Sequence, residues 1–131
     1  MTSNLQTDLP PIAITAHDLE RLSQLAKAAL STFPRTADFL AREIERAQVV
    51  ADPEAVPGLV VMNSTVEFRD DAGKTRQVTL VYPDAADVST GKISVLTPIG
   101  AALIGLSVGQ SIQFQTPAGG WRSLTVVSVS P

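Results

Sequence analysis

The stretch TPIGAALIGLSVGQ, from Thr97 to Gln110, decides how the second half of this chain is interpreted. Gly100 and Gly105 are separated by four residues, which is close to the phosphate-binding pattern G-x-x-x-x-G-K-[ST]. That pattern needs a lysine after the second glycine to supply charge to the phosphates, and Leu106 stands there instead. A phosphate loop also places its glycines ahead of a helix. The stretch is therefore not interpreted as a nucleotide site.

The same stretch fits a short helix with its own start and stop signals. Thr97 is a preferred N-cap residue, and Pro98 suits the first helical position, where its missing N–H would be unpaired in any case. Gly105 fits the left-handed position that ends many helices. Gly100, inside the helix, then indicates close packing against another segment.

Alternating apolar and polar residues predict strands on both sides of this helix. The predicted strands are Thr65–Arg69, Gln77–Tyr82, Ile93–Leu96, Ser111–Thr116 and Trp121–Val129. The turn sequences Asp70–Gly73 and Pro117–Gly120 join neighbouring strands into hairpins. We therefore expect a compact, mostly antiparallel β domain that carries one short helix.

Ahead of the β domain, apolar residues recur at helical spacing in two short segments. The first begins at Thr15, and the second is predicted to begin with Thr36 as its N-cap, after a turn over Ser31–Arg35. A short turn makes the helices antiparallel, and their alanines allow a close, coiled-coil-like approach. Whether this hairpin packs on itself or on a second copy stays open, and a monomer is expected. The charged residues Arg42, Glu43, Glu45 and Arg46 are predicted to form a solvated face.

These patterns divide the chain into four parts. We predict a disordered lead-in over 1–11, a helical hairpin over 12–50, a linker over 51–59 and the β domain over 60–131. The linker prediction rests on two prolines and a glycine in the sequence ADPEAVPGL.

Composition excludes several classes of function. The chain has no cysteine, one histidine and a formal net charge of -3, which disfavours thiolate chemistry, His-rich metal sites and direct nucleic-acid binding. No apolar run approaches the ~20 residues of a membrane span, and the N-terminus lacks a secretory pattern, so a cytoplasmic protein without membrane contact is expected. No spacing of ionisable groups suggests an acid–base pair, and we expect no cofactor, no metal and no catalytic residues.

Three motifs in the β domain resemble a known family. They are V-x-M-x-S-x-V at 60–66, I-S-V-x-x-P-I-G-x-A-L-I-G at 93–105 and V-G-x-x-I at 108–112. Together they resemble the C-terminal domain of the bacterial transcription elongation factors GreA and GreB. The segments 43–49, 61–64 and 80–83 resemble most closely the subfamily called regulator of nucleoside diphosphate kinase (Rnk). The resemblance covers roughly residues 12–131.

The resemblance implies an FKBP-like fold for the β domain, and so an α+β chain in which a helical hairpin precedes an FKBP-like domain. In the family this domain docks on RNA polymerase at the rim of the secondary channel, through a loop that ends in S/T-P before the short helix. By position, the polymerase-binding candidates here are Leu96, Thr97, Pro98, Ile99 and Gly100. Some relatives carry Asp where this chain has Leu96.

The resemblance implies that the hairpin tip decides whether the protein stimulates transcript cleavage. We define the tip as Thr32, Phe33, Pro34 and Arg35. Gre factors present acidic residues at the tip of a long coiled coil, where carboxylates help to hold a catalytic Mg²⁺. This tip has no acid and one base. An arm of about 15 residues spans roughly 22 Å, about half of what a Gre-like arm needs. The resemblance thus implies a polymerase-binding regulator that does not stimulate transcript cleavage and that could compete with Gre factors.

Two alternatives remain open. The FKBP-like fold suggests a peptidyl-prolyl isomerase, but fold alone does not carry function. Such an enzyme needs an aromatic-lined pocket, and the whole chain has six aromatic residues. Phe33 and Phe39 lie in the predicted hairpin, so at most four remain for the β domain. The subfamily name also implies an effect on nucleoside diphosphate kinase. That effect could be indirect, through transcription, or the chain could bind the kinase or another protein directly.

Overall fold

The computed structural model describes residues 9–131, and most of the predicted lead-in over 1–11 lies outside the described residues. Its elements are a helical hairpin, a small sheet at the base of the hairpin, and a five-stranded sheet with one short helix. In chain order they are β1 (Ala13–Thr15), α1 (Ala16–Ala28), α2 (Pro34–Arg46), β2 (Gln48–Val50), β3 (Thr65–Asp70), β4 (Thr75–Val81), β5 (Lys92–Ser94), α3 (Pro98–Leu103), β6 (Ser111–Gln115) and β7 (Trp121–Ser130). The α+β class and the order predicted from the sequence are confirmed.

The two helices begin by different means. Thr15 caps α1 as predicted, because its Oγ1 accepts the Asp18 N–H at 3.2 Å. The prediction that Thr36 caps α2 is wrong, since the N-cap is Phe33, three residues earlier, and the helix begins at Pro34. Proline at the first position has no N–H to satisfy, and the Phe33 carbonyl already accepts the Ala37 N–H at 2.8 Å.

A parallel pair of three-residue strands closes the base of the hairpin. β1 enters α1 and β2 leaves α2, with Ile14 opposite Val49. The sequence analysis assigned both segments to the hairpin and missed the strands. Three residues are too few to show a period of two, so the pairing depends on the hairpin bringing the two ends together.

The five-stranded sheet has the order β5–β4–β3–β7–β6. Every pairing is antiparallel except β4 with β5, which is parallel. Where β7 crosses β3, the register shifts between Glu67 and Phe68 and leaves Val127 as an extra residue in β7. Such a bulge bends the strand and increases its twist, which helps the sheet curl around α3 and the hairpin.

One face of this sheet is apolar and the other is polar. Residues such as Val66, Phe68 and Leu124 are almost fully buried on the inner face. On the outer face, hydroxyl side chains pair across strands, as in Thr65 with Thr79 at 3.1 Å between their oxygens. Only the inner face can therefore receive the helices.

The hairpin shares a core with this inner face, and its second helix contacts α3. Leu22 and Ala26 of α1 and Leu40 of α2 belong to the same buried cluster as the inner residues of the sheet. In this structure the hairpin and the β domain therefore form one folded body. The proposed boundaries of the hairpin at 12–50 and of the β domain at 60–131 stay predictions. Among residues 9–131, no helix is long and apolar enough to cross a membrane.

Candidate functional site

The loop that leads into α3, here called the Pro98 loop and defined as Leu96–Gly100, is held by a network around Thr97. The Thr97 Oγ1 accepts the Gly100 N–H at 3.1 Å and donates to the Ser94 carbonyl at 2.7 Å. This confirms the predicted N-cap, and Pro98 is the first residue of α3 as predicted. The loop is thus fixed at both ends.

Gly100, the last residue of that loop, is buried. A Cβ at this position would lie 2.2 Å from the Ser94 carbonyl oxygen and 2.9 Å from the Val95 Cα. The close packing inferred from the sequence is confirmed, and Gly105 ends the stretch with φ of +85° as predicted. The other four residues of the loop are partly exposed, namely Leu96, Thr97, Pro98 and Ile99. Gly100 therefore provides the buried contact of the loop, and the other four are available to a partner.

The hairpin tip is exposed along its whole length. Thr32, Pro34 and Arg35 are open to solvent, and Phe33 keeps 52% of its surface exposed. The nearest acid in sequence is Asp38, and it pairs with Arg42 at 3.0 Å. The tip therefore presents an aromatic ring and a guanidinium group to solvent and no carboxylate.

The structure brings the tip and the Pro98 loop together in one depression of about 530 Å³, here called the tip groove. Its walls are Thr32–Thr36, Leu96–Pro98 and Gln115–Pro117. The sequence analysis named the tip and the loop separately, because nothing in local sequence relates segments that are sixty residues apart. Their proximity follows from the contact between α2 and α3.

Two further depressions adjoin the tip groove, and Pro98 lines all three. One of about 350 Å³ lies between α2 and the β6–β7 hairpin and includes Trp121, which is 54% exposed. The other, of about 250 Å³, is mostly apolar and includes Ile99, Phe114 and Arg76. We call the walls of the three depressions the Pro98 surface. Its part from β6 and β7 was missed by the sequence analysis.

Positive side chains predominate on the Pro98 surface. Its charged residues are Arg35, Asp38, Arg42 and Arg76. Asp38 is already paired with Arg42, and no carboxylate of the described chain forms a salt bridge with Arg35 or Arg76. Arg76 instead lies 5.7 Å from the centre of the Phe68 ring. This is an excess of positive charge in a chain whose formal net charge is -3.

A buried carboxylate fixes the far end of the hairpin to the β domain. The Asp18 oxygens accept the Met62 N–H at 3.3 Å and the Tyr82 hydroxyl at 3.4 Å. The Arg21 guanidinium covers the Tyr82 ring at 3.7 Å from its centre. Burial, and then the neighbouring Asp18 charge, raise the pKa of Tyr82 to about 12. We call Asp18, Met62 and Tyr82 the hairpin anchor.

A second polar contact corrects the predicted solvated face on α2. Glu43 is only 1% exposed, and its two oxygens accept bidentate hydrogen bonds of 2.8 Å from Arg46. Arg46 also donates to the Pro10 carbonyl, while Gln110 donates to the Pro11 carbonyl at 2.8 Å. The pair therefore ties the segment before β1 to the end of α2. Glu43 lies three residues after the buried Leu40, so helical spacing places it on the inner face, and its charge is what led to the wrong prediction.

The described residues also bear on metal chemistry. Within residues 9–131, no group of three or more His, Cys, Asp or Glu side chains is arranged to hold a metal ion. Asp38, the one carboxylate of the described residues that lines the three depressions, is paired with Arg42.

Comparison with known proteins gives two family matches. Residues 54–131 match the family described as transcription elongation factor GreA/GreB, C-terminal, and residues 10–50 match the family described as Rnk N-terminus. The two matches follow one another along the chain.

Individual relatives agree with these matches. Regulator of nucleoside diphosphate kinase from Escherichia coli (strain K12) is 39% identical over 121 residues, covering 92% of this chain and 89% of that protein. Transcription elongation factor GreA from Syntrophobacter fumaroxidans is 37% identical over 91 residues, 69% of this chain and 58% of that one. The solved structure of a prokaryotic transcription elongation factor GreA/GreB from Nitrosomonas europaea is 43% identical, with a TM-score of 0.72 over 93% of this chain and 99% of that chain.

Proposed function

The chain belongs to the GreA/GreB family, with an N-terminus of the Rnk type, and on that premise we propose that it is a non-enzymatic regulator of transcription. It binds RNA polymerase near the secondary channel through its β domain and does not stimulate transcript cleavage. By occupying that place it competes with Gre factors.

The observation that carries this proposal is the Thr97–Pro98 step at the start of α3. The resemblance makes the S/T-P loop the polymerase contact, and here Thr97 holds that loop through two hydrogen bonds of 3.1 and 2.7 Å. A contact loop that is already ordered loses little conformational freedom when it binds, which favours its use in recognition. Pro98 itself remains partly exposed.

The tip supports binding without cleavage. Mg²⁺ is held by oxygen ligands, chiefly carboxylates, and the tip over Thr32–Arg35 offers none. Each hairpin helix has 13 residues, which gives a length of about 20 Å at ~1.5 Å per residue. The hairpin is therefore short, and its tip lacks the carboxylates needed to complete a metal site in a channel.

The proposal is tested by binding of the full chain to purified RNA polymerase core enzyme. A Thr97→Ala, Pro98→Ala double variant removes the loop's cap and its exposed ring, and we expect roughly tenfold weaker binding or more, as for truncation of a central contact. Val88→Ala is the matched control, since Val88 is 89% exposed and lies outside the Pro98 surface. Absence of binding by the unaltered protein at about micromolar concentration would sink the proposal, because specific complexes usually reach at least that affinity.

The name of the Escherichia coli relative favours one second candidate, direct binding to nucleoside diphosphate kinase. Co-purification of this chain with the kinase in the absence of polymerase would support it. An unchanged kinase activity on mixing the two purified proteins would instead favour an effect through transcription.

A further inference from the structure

We infer that the hairpin tip and the Pro98 loop form one composite docking surface, and that its occupant is a partner segment with a large apolar side chain flanked by carboxylates. This rests on the proposed function, because the partner segment would belong to RNA polymerase. The tip of this chain then takes part in docking on the outside of the partner instead of entering a channel.

Exposed aromatic side chains indicate that the occupant has a large apolar side chain. Phe33 and Trp121 line two adjoining depressions that share Pro98 in their walls, and each keeps more than half of its surface exposed. Leu96 and Pro117 continue the apolar wall of the tip groove. Large exposed aromatics beside a groove are the side chains that most often contribute binding energy at protein interfaces.

The surface is preformed because the hairpin cannot swing away from the sheet without breaking buried contacts. Ala37 and Leu40, just after the tip, are fully buried against the core. At the other end of the hairpin, the anchor joins Asp18 to Met62 and Tyr82. The distance between Phe33 and Pro98 is therefore set by the fold, and binding requires little further ordering.

The arginine side chains of the Pro98 surface indicate that the occupant also has carboxylates. Arg35 and Arg76 form no salt bridge within the described chain, and both line the depressions around Pro98. A partner with carboxylates beside its apolar side chain would complement them, whereas a basic partner would be repelled. A single-stranded nucleic acid could also use arginine and aromatic rings, but it needs a longer positive track than this acidic chain offers.

The experiment is a titration of the full chain against labelled polymerase core enzyme at about 0.05 M and about 0.5 M salt, a range over which exposed charges become screened. Phe33→Ser should weaken binding about tenfold at both salt concentrations, since it removes an apolar contact. Arg35→Glu should weaken binding about tenfold at low salt and much less at high salt.

Matched controls place the same changes elsewhere. Val88→Ser alters an exposed apolar residue outside the Pro98 surface, and Arg69→Glu reverses a charge on an exposed residue of β3 that lies outside it. Both should bind within about twofold of the unaltered chain, as expected for substitutions outside an interface. Phe33 and Arg35 are exposed, so their variants should fold normally, and thermal unfolding checks this.

The outcomes separate the two proposals. If the Thr97, Pro98 double variant loses binding while the Phe33 and Arg35 variants bind like the unaltered chain, the composite surface is wrong and the proposed function stands. If the unaltered chain does not bind polymerase, both are overturned. Tighter binding to a labelled single-stranded RNA than to the core enzyme would overturn the choice of a protein segment as occupant.

Discussion

Replacing Gly100 by alanine tests the packing that fixes the Pro98 loop. The new Cβ would lie 2.2 Å from the Ser94 carbonyl oxygen and 2.9 Å from the Val95 Cα, where ordinary contact begins at 3.4 Å. Both neighbours are backbone atoms, so no side chain can rotate to make room. The start of α3 must therefore move by about 1 Å, an overpacking that costs about 3 kcal/mol, at the upper end of the usual range.

An opposing effect reduces this cost. Alanine is favoured over glycine inside a helix by about 1 kcal/mol, because it loses less backbone entropy on folding. The free energy of unfolding should thus fall by about 2 kcal/mol, which corresponds to a melting temperature lower by about 6–10 °C for a chain of this size. The displaced α3 also carries Pro98, so polymerase binding should weaken in the same variant.

Urea unfolding followed by circular dichroism measures the effect, with Gly120→Ala as the control. A Cβ at Gly120 would meet nothing closer than the Thr116 Oγ1 at 3.7 Å, so this variant should stay within ~0.5 kcal/mol of the unaltered chain. Equal stability of the Gly100 and Gly120 variants would refute the reasoning, because it would mean that the helix start and the strand before it are not in tight contact.

Three further predictions concern the buried polar contacts. Asp18→Ala leaves the Met62 N–H without its partner and should lower the free energy of unfolding by about 1–3 kcal/mol, measured in urea; an unchanged midpoint would argue against the hairpin anchor. The pKa of Tyr82 is raised from 10.0 to about 12, so its contribution to stability is complete below pH 10 and is lost as pH rises towards 12. Across that pH range, the melting temperature should therefore fall less steeply for Tyr82→Phe than for the unaltered chain. Parallel curves of melting temperature against pH would contradict this. Glu43→Gln removes the charge that faces the partly buried Arg46 and should lower the free energy of unfolding by about 2 kcal/mol in the same urea assay, the size expected for lost hydrogen bonds to a charged group. No loss would mean that the pair contributes nothing to stability.

Much of the fold was predictable because its signals are local. The Thr97–Pro98 start and the Gly105 stop each act within a few residues, and they define α3 correctly. Apolar and polar residues alternate along the strands of the large sheet, and this alternation is visible in the sequence alone. The start of α2 was placed three residues late, because Pro34 was interpreted as a turn residue and not as the first residue of the helix.

The features that were missed depend on contacts between distant segments. Glu43 was predicted to be solvated because of its charge, although its helical phase places it on the same face as the buried Leu40. Its pairing with Arg46, which also donates to the Pro10 carbonyl, explains how this carboxylate is buried. The tip groove likewise joins the hairpin tip to the Pro98 loop and to the turn at Pro117, three segments with no common motif. The exposed Trp121 was visible in the sequence, but its neighbours were not.

We propose that this chain occupies the place of a Gre factor on polymerase without the carboxylates that cleavage requires. The most direct measurement is transcript cleavage in backtracked elongation complexes, first with this chain alone and then with a fixed amount of GreA and increasing amounts of this chain. We expect no cleavage above background with the chain alone and a progressive loss of GreA-dependent cleavage as the chain is added. Cleavage stimulated by the chain alone, or GreA activity that is unaffected at saturating amounts of the chain, would contradict it.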